Sequence, residues 1–364
     1  VNRATSTYLD LVRLLAAVAV LVTHLAYPRF TGGLLLEWRT YGNDAVMVFF
    51  VLSGYVIAHT VATRDRDFRS YLIHRCARLY SVALPAIALT LLLDGVGRAI
   101  DPAMYDGFWY QSSDLVLRVL RAASFTNELW FDSVRLFTNG PYWSLGYEFW
   151  YYLIFAAACF LRGAPRTATI GGLALVVGPK ILLLLPVWLL GVWVHRVNLG
   201  ARIGRAAGWF LFAGSFVLYA LFRALGWRDA LLAWTWELLG KRFVEGELMW
   251  SNEFLAAYAI GALVAANFIG LHAVAGDLAP LLARHERRIR DWAGYTFSIY
   301  LFHYPVLQFL AALLPIAPRA WWSAAMLLIL TLLTCRLLGT CTEQRKDLAR
   351  ALVTALADRL VPRR

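Results

Sequence analysis

The sequence predicts an all-α fold, a polytopic bundle of about ten membrane-spanning helices, and three observations carry that prediction. Of 364 residues, 60% are hydrophobic and only 16% charged, whereas a soluble chain carries about 25% charged residues. Apolar runs long enough to cross a bilayer recur along the whole length. The cations between those runs follow the positive-inside rule. With the N-terminus in the cytoplasm, roughly two-thirds of the loop Lys and Arg fall on that side, and an even number of spans returns the C-terminus there. The net charge of +12 is therefore read as cytoplasmic loops and not as a nucleic-acid surface.

In chain order the candidate spans are approximately 8–27, 43–62, 77–94, 144–162, 167–179, 181–195, 206–224, 254–271, 292–314 and 319–340. The first run is long enough to span, and no A-x-A-like site follows it, so it reads as a helix of the bundle and not as a cleaved leader. Gly178-Pro179-Lys180 interrupts the fifth and sixth runs, which leaves a re-entrant pair open there. Residues 1–342 read as one transmembrane domain and 343–364 as a basic cytoplasmic tail. Two outer segments are long. In 95–143, Ser112-Ser113-Asp114 precedes LVLRVLRAA, the pattern of a capped amphipathic helix lying in the interface. In 225–253, Trp227, Trp234, Trp236 and Trp250 suit an aromatic belt. The four cysteines are scattered and form no C-x-x-C pair, so neither a metal site nor a disulfide framework is expected.

Ionisable groups inside apolar runs cost free energy and mark the candidate site. Arg13 and His24 lie in the first span, YLDLVRLLAAVAVLVTHLAY. Eleven residues at 100° each come within about 20° of three full turns, so the two share a helix face about 16 Å apart along the axis. His24 is either a packing histidine or a general base. Arg13 needs an anionic partner, for which Asp10 is placed, or water. In YGNDAVMVFFVLSGY, Asp44 reads as a helix-dipole residue or a site carboxylate, and Ser53-Gly54 as close helix packing or a ligand contact. Arg75 and Arg78, in IHRCARLY, are either a positive-inside flank or a phosphate grip on one helix face. Trp143, Ser144 and Glu148 follow the turn Asn139-Gly140-Pro141; Glu148 either caps the helix start or orients a catalytic imidazole. In YTFSIYLFHYP, Tyr300 and His303 are packing groups or members of the site. Glu343 is expected to pair with nearby cations; His59, His74, His195, His272 and His285 carry no signal.

Taken in order, Arg13-x10-His24, DAVMVFFVLSGY, RCARLY, WSLGYE and SIYLFHYP resemble the acyltransferase-3 family of integral-membrane O-acyltransferases, from about residue 8 to 340. Two departures occur. Ser81 follows Tyr80 where the family often has Pro, and Gly146-Tyr147-Glu148 stands where Ser/Ala-Val-Glu is common. Neither removes an ionisable group. The resemblance implies a multi-pass protein of the bacterial cytoplasmic (inner) membrane. It implies no permanently bound cofactor, acyl-CoA (acetyl-CoA foremost) as donor substrate, and an extracytoplasmic carbohydrate or glycolipid hydroxyl as acceptor. It implies His24 as the catalytic histidine, Glu148 as its supporting carboxylate and Arg13 in catalysis. Arg75 and Arg78 take the donor arginine positions. Ser53 and Gly54 are assigned with the donor, and Asp44, Trp143, Ser144, Tyr300 and His303 as supporting residues. A partner such as a periplasmic SGNH-type transferase, or glycan-assembly proteins, is expected on separate chains.

The expected chemistry follows. A hydroxyl nucleophile is weak and needs a base, so His24 either deprotonates it or carries the acyl group itself. Arg13, Ser53 and Tyr300 are candidates for the oxyanion. The rival reading is a transporter or proton-coupled carrier, which also uses intramembrane His, Arg and Glu but needs matching broken spans in two halves. A purely structural scaffold would leave the buried charges unexplained.

Overall fold

The computed structural model describes residues 2–107 and 110–360. Its main helices are α1 (Arg3–Leu25), α2 (Tyr41–Thr63), α3 (Phe68–Ile100), α4 (Leu115–Ala123), α5 (Trp143–Phe160), α6 (Gly163–Val177), α7 (Pro179–Val197), α8 (Arg205–Ala224), α9 (Trp227–Leu239), α10 (Phe254–Ala293), α11 (Thr296–Leu313), α12 (Trp321–Cys341) and α13 (Lys346–Leu360). Among the described residues the only extended pairing is an isolated bridge between Leu136 and Asn139. Helices satisfy their backbone within themselves, which is what a lipid environment demands.

Among the described residues eight segments, built on α1, α2, α3, α7, α8, α10, α11 and α12, are long and apolar enough to cross a membrane. The two further spans expected from the sequence, 144–162 and 167–179, become α5 and α6 and fall short. α6 has 15 residues, about 22 Å against a hydrocarbon core of about 30 Å. α5 has 18 residues but mixes its apolar stretch with Glu148 and a run of aromatics, and Tyr147, Tyr151 and Tyr152 are buried in the bundle. The break at Gly178 is present, with φ +76°. Beyond it α7 runs on to Val197 as a full-length helix, so 181–195 is not half of a re-entrant pair.

Small residues set the helix spacing at the centre. A Cβ on Gly54 would meet the Trp188 carbonyl oxygen at 2.0 Å, and one on Gly191 the Val51 carbonyl oxygen at 1.9 Å, so α2 and α7 touch backbone to backbone. α1 packs against α2, α10 and α11. The first described residues of α1 and the last described helix, α13, lie at one end of the bundle, here the termini end. There Arg3 pairs with Glu286 at 2.7 Å, and Gln344 donates to the Gly294 carbonyl at 2.8 Å. Glu343, expected to pair with nearby cations, instead accepts from Ser298 N at 2.9 Å and Ser298 Oγ at 3.0 Å, closing the first turn of α11. Within the expected tail, residues 346–360 form α13, which packs along α3.

The segments at the far end also depart from their sequence reading. Asp114 precedes α4 but makes no side-chain cap; instead buried Arg118 donates to the Ser113 and Arg135 carbonyls and to Gln111 Oε1, at 2.7, 2.9 and 2.8 Å. Trp250 leaves the belt and stacks on Trp143 with ring centroids 5.3 Å apart, while Trp227 and Trp234 stay exposed. Lys180, expected in a loop, is fully buried and pairs with Glu128 at 2.8 Å. Burial pushes the Glu128 carboxyl up to about 7 even with Lys180 pulling it back.

Candidate active site

At the termini end, α1, α2, α3, α5, α11 and α13 enclose a cavity of 330 Å³. Three arginines expected at the site line it. Arg13 Nη2 reaches Asp10 Oδ1 and the Ala293 carbonyl, both at 3.0 Å. Arg75 Nη2 donates to Asp65 Oδ2 at 3.2 Å, and Asp65, fully buried, also meets His74 Nδ1 at 2.6 Å. Arg78, one turn on from Arg75, lies over the Phe297 ring at 5.5 Å. Arg13 and Arg75 each keep a buried Nε with no hydrogen-bond partner among the described residues. A buried donor without an acceptor is costly, and a cavity beside it offers room for an anion to supply one.

Ser53, Ser144, Glu148 and Tyr300 line the same cavity. Ser53 Oγ and Tyr152 OH both donate to Glu148 Oε1 at 2.5 Å, and Trp188 Nε1 donates to Ser53 Oγ at 3.1 Å. The one hydroxyl proton of Ser53 is thus committed to the carboxylate. Tyr300 OH lies 2.7 Å from Ser144 Oγ and donates to the Pro141 carbonyl at 3.2 Å. Tyr152 stands four residues after Glu148, a spacing at which side chains meet on a helix, so this contact was readable in the sequence.

His24 is not on the wall of this cavity, and its neighbour is not Glu148. Glu148 is held by Ser53 and Tyr152, whereas His24 meets His303. The tautomers of this pair follow from its partners. His303 Nδ1 lies 2.9 Å from the Ile299 carbonyl and 2.8 Å from that of Tyr300. Carbonyls only accept, so Nδ1 carries the proton and Nε2 the lone pair. His303 Nε2 lies 3.0 Å from His24 Nδ1, which is also 2.8 Å from the Val20 carbonyl. His24 Nδ1 is therefore the donor, and His24 Nε2 is left with a lone pair. Pro305 contributes to this corner as well. It cannot bond the Leu301 carbonyl four residues back, and Asn139 Nδ2 takes that carbonyl at 2.9 Å. On its far side His24 meets Tyr304 and Tyr27, with ring centroids 4.7 and 5.6 Å away, and Arg29 donates to the Tyr304 hydroxyl.

The remaining candidates lie elsewhere. Gly54 serves the α2–α7 contact and not the cavity. Asp44 accepts from Tyr219 at 2.7 Å and pairs with Arg223 at 3.4 Å, bridging α2 to α8. Trp143 packs between Trp250 and Tyr147. Sequence reasoning missed Asp65, which looks like an ordinary loop acid, and the cavity-lining Arg64, Lys346 and Arg350. Among the described residues no group of three His, Cys, Asp or Glu is placed to hold a metal ion.

The chain is similar to an acyltransferase, MdmB, of Streptomyces mycarofaciens, 34% identical over 39% of this chain and 36% of that protein. It is also similar to an O-acetyl transferase of Shigella phage Sf6, 29% identical over 42% of this chain and 46% of that protein. The aligned stretches thus span less than half of either relative. No solved structure matches the chain. Residues 6–340, nearly the whole bundle and every residue placed at the cavity except those of α13, match the profile of the acyltransferase domain, and the chain belongs to that family.

Proposed function

We propose that the protein is a bacterial inner-membrane O-acyltransferase. It moves an acyl group, acetyl foremost, from acyl-CoA at the termini end to a hydroxyl of a carbohydrate or glycolipid acceptor at the far end. One observation carries this reading: the arginine-lined cavity and the histidine pair are joined through Tyr300. Its side chain lines the cavity, and its carbonyl takes the Nδ1 proton of His303, which touches His24. The guanidinium groups suit the phosphates of coenzyme A, and the cavity suits its acyl-pantetheine arm. The acyl and O-acetyl activities in the names of the two relatives support the choice of group.

In this mechanism the acceptor oxygen attacks the thioester carbonyl carbon while its proton passes to His24 Nε2. The C–O bond forms, the C–S bond breaks, and the leaving thiolate takes the proton back from His24. The same lone pair serves if His24 carries the acyl group between donor and acceptor. His303 acts as the positioning residue, a role the sequence assigned to Glu148, because it holds His24 in the tautomer with Nε2 free. Glu148 orders Ser53 and Tyr152 on the wall the thioester passes. The test is His24→Ala, with O-acetyl groups on surface glycans measured by mass spectrometry. Loss of acetylation at normal expression is expected; retained acetylation refutes the mechanism.

A further inference from the structure

α13 lies outside the matched domain, yet it borders the cavity. Its start is fixed by Glu343 on Ser298 and Gln344 on Gly294, and its end by an ion pair between Asp358 and Arg69 of α3. Lys346 and Arg350, one turn apart on one face, line the cavity mouth with Arg64. Among the described residues Arg64, Arg78, Lys346 and Arg350 enter no ion pair, and Asp347 is the one carboxylate that α13 adds to the wall. The opposite face is a leucine stripe at a spacing of four: Leu348, Leu352 and Leu356 are 64, 68 and 58% exposed. About 200° separates Lys346 from Leu348 and Arg350 from Leu352, so the cations face the cavity while the leucines face away. Such a helix fits the boundary between headgroups and acyl chains.

The cavity volume sets where a donor's phosphates would sit. At 330 Å³ it lies at the small end of ligand pockets, roughly 300–1,000 Å³. It has room for an acyl-pantetheine arm and leaves the nucleotide outside, at the mouth. Of the unpaired cations, Arg64, Lys346 and Arg350 stand there.

We propose that α13 is a phosphate clamp: Lys346 and Arg350, with Arg64, grip the nucleotide phosphates of the coenzyme A thioester, and the leucine stripe seats the helix on the bilayer so that the clamp stays over the cavity. This rests on acyl-CoA as the donor. Removing two charge-assisted contacts is expected to weaken binding by at least about tenfold.

The test measures binding of radiolabelled coenzyme A to the full chain in nanodiscs of neutral lipid, for the natural protein, Lys346→Gln/Arg350→Gln and Lys346→Arg/Arg350→Lys. Pantetheine, which lacks the phosphates, is measured alongside. The Gln pair is expected to lose at least about tenfold in coenzyme A affinity, with pantetheine affinity and thermal stability unchanged, while the charge-conserving pair binds normally. Normal coenzyme A affinity in the Gln pair refutes the clamp and leaves the donor reading standing. Equal loss of pantetheine refutes it by showing a structural effect. Loss that appears only in vesicles containing phosphatidylglycerol refutes it in favour of a lipid-headgroup contact. A natural protein that binds no coenzyme A overturns the donor reading and the clamp with it.

Discussion

The two halves of the site are built on opposite plans. The termini-end cavity gathers side chains from six helices, and its arginines reach carboxylates, a carbonyl and an aromatic ring. The histidine pair is made by α1 and α11 alone, and every proton on it is held by a backbone carbonyl or by the other ring. A cavity of long cationic side chains tolerates ligands of varied shape and responds to salt. A backbone-locked imidazole has one orientation and responds to little except the loss of its partner. On the proposed function, binding and chemistry would lie apart along the bundle axis, and variants in the two halves should separate into changes in donor KM and changes in kcat.

The largest effect is expected from His24→Ala, a fall in kcat of at least about 100-fold with donor binding retained. Loss of coenzyme A binding in the same variant, measured at equilibrium, would mean that the two halves are one. Next comes His303→Ala, which frees the His24 tautomer without touching the cavity wall. A fall of roughly 10–100-fold in kcat is expected, with a changed pH–rate profile and an unchanged donor KM. A variant that only lowers expression and keeps the natural pH profile would reduce His303 to packing. Gly54→Ala tests the frame that the two halves share. Its Cβ would strike the Trp188 carbonyl oxygen, so a stability loss of about 1–3 kcal/mol is expected by thermal unfolding. Arg78→Ala belongs to the cavity side. Donor KM should rise about tenfold with kcat nearly unchanged, and the salt dependence of KM should weaken.

The smallest effect concerns Asp67, which caps α3, the helix that carries Arg75 and Arg78. The Ser70 amide donates to its carboxylate at 2.8 Å and holds the Asp67 carboxyl below its ordinary range. Because the folded-state value is depressed, the stabilisation is full above the unfolded carboxylate range and is lost as pH falls through the folded one. Asp67→Ala should cost about 1 kcal/mol near neutral pH and progressively less in acid, as read by chemical denaturation at several pH values.

Much of this molecule was legible before the structure. Hydropathy located the spans, and the 100° step of a helix placed Arg13 and His24 on one face. The structure puts that face against the α10–α11 junction and α11: Arg13 reaches Ala293 and His24 reaches His303. The Arg75–Arg78 spacing likewise placed both groups on one wall. The count of spans was less legible, because α5 combines a span-like apolar stretch with polar and aromatic residues that the bundle buries. The identity of the His24 partner was not legible. Two carboxylate and imidazole candidates, Glu148 and His303, stood in suitable positions on different helices, and nothing local says which helix face turns towards α1.

Periodicity is a property of a short stretch of chain, so the residue pattern alone establishes helices, their faces and the sign of the charge at their ends. Contacts such as His24 with His303, 279 residues apart, depend on how helices pack, and packing is decided where small residues let backbones meet. Gly54 against Trp188 and Gly191 against Val51 draw α7 onto α2, bringing the Trp188 indole to Ser53, whose proton goes to Glu148. The helix α13 shows the same division. Its sequence was read only as a basic tail; its seat on α3 turns Lys346 and Arg350 to the cavity.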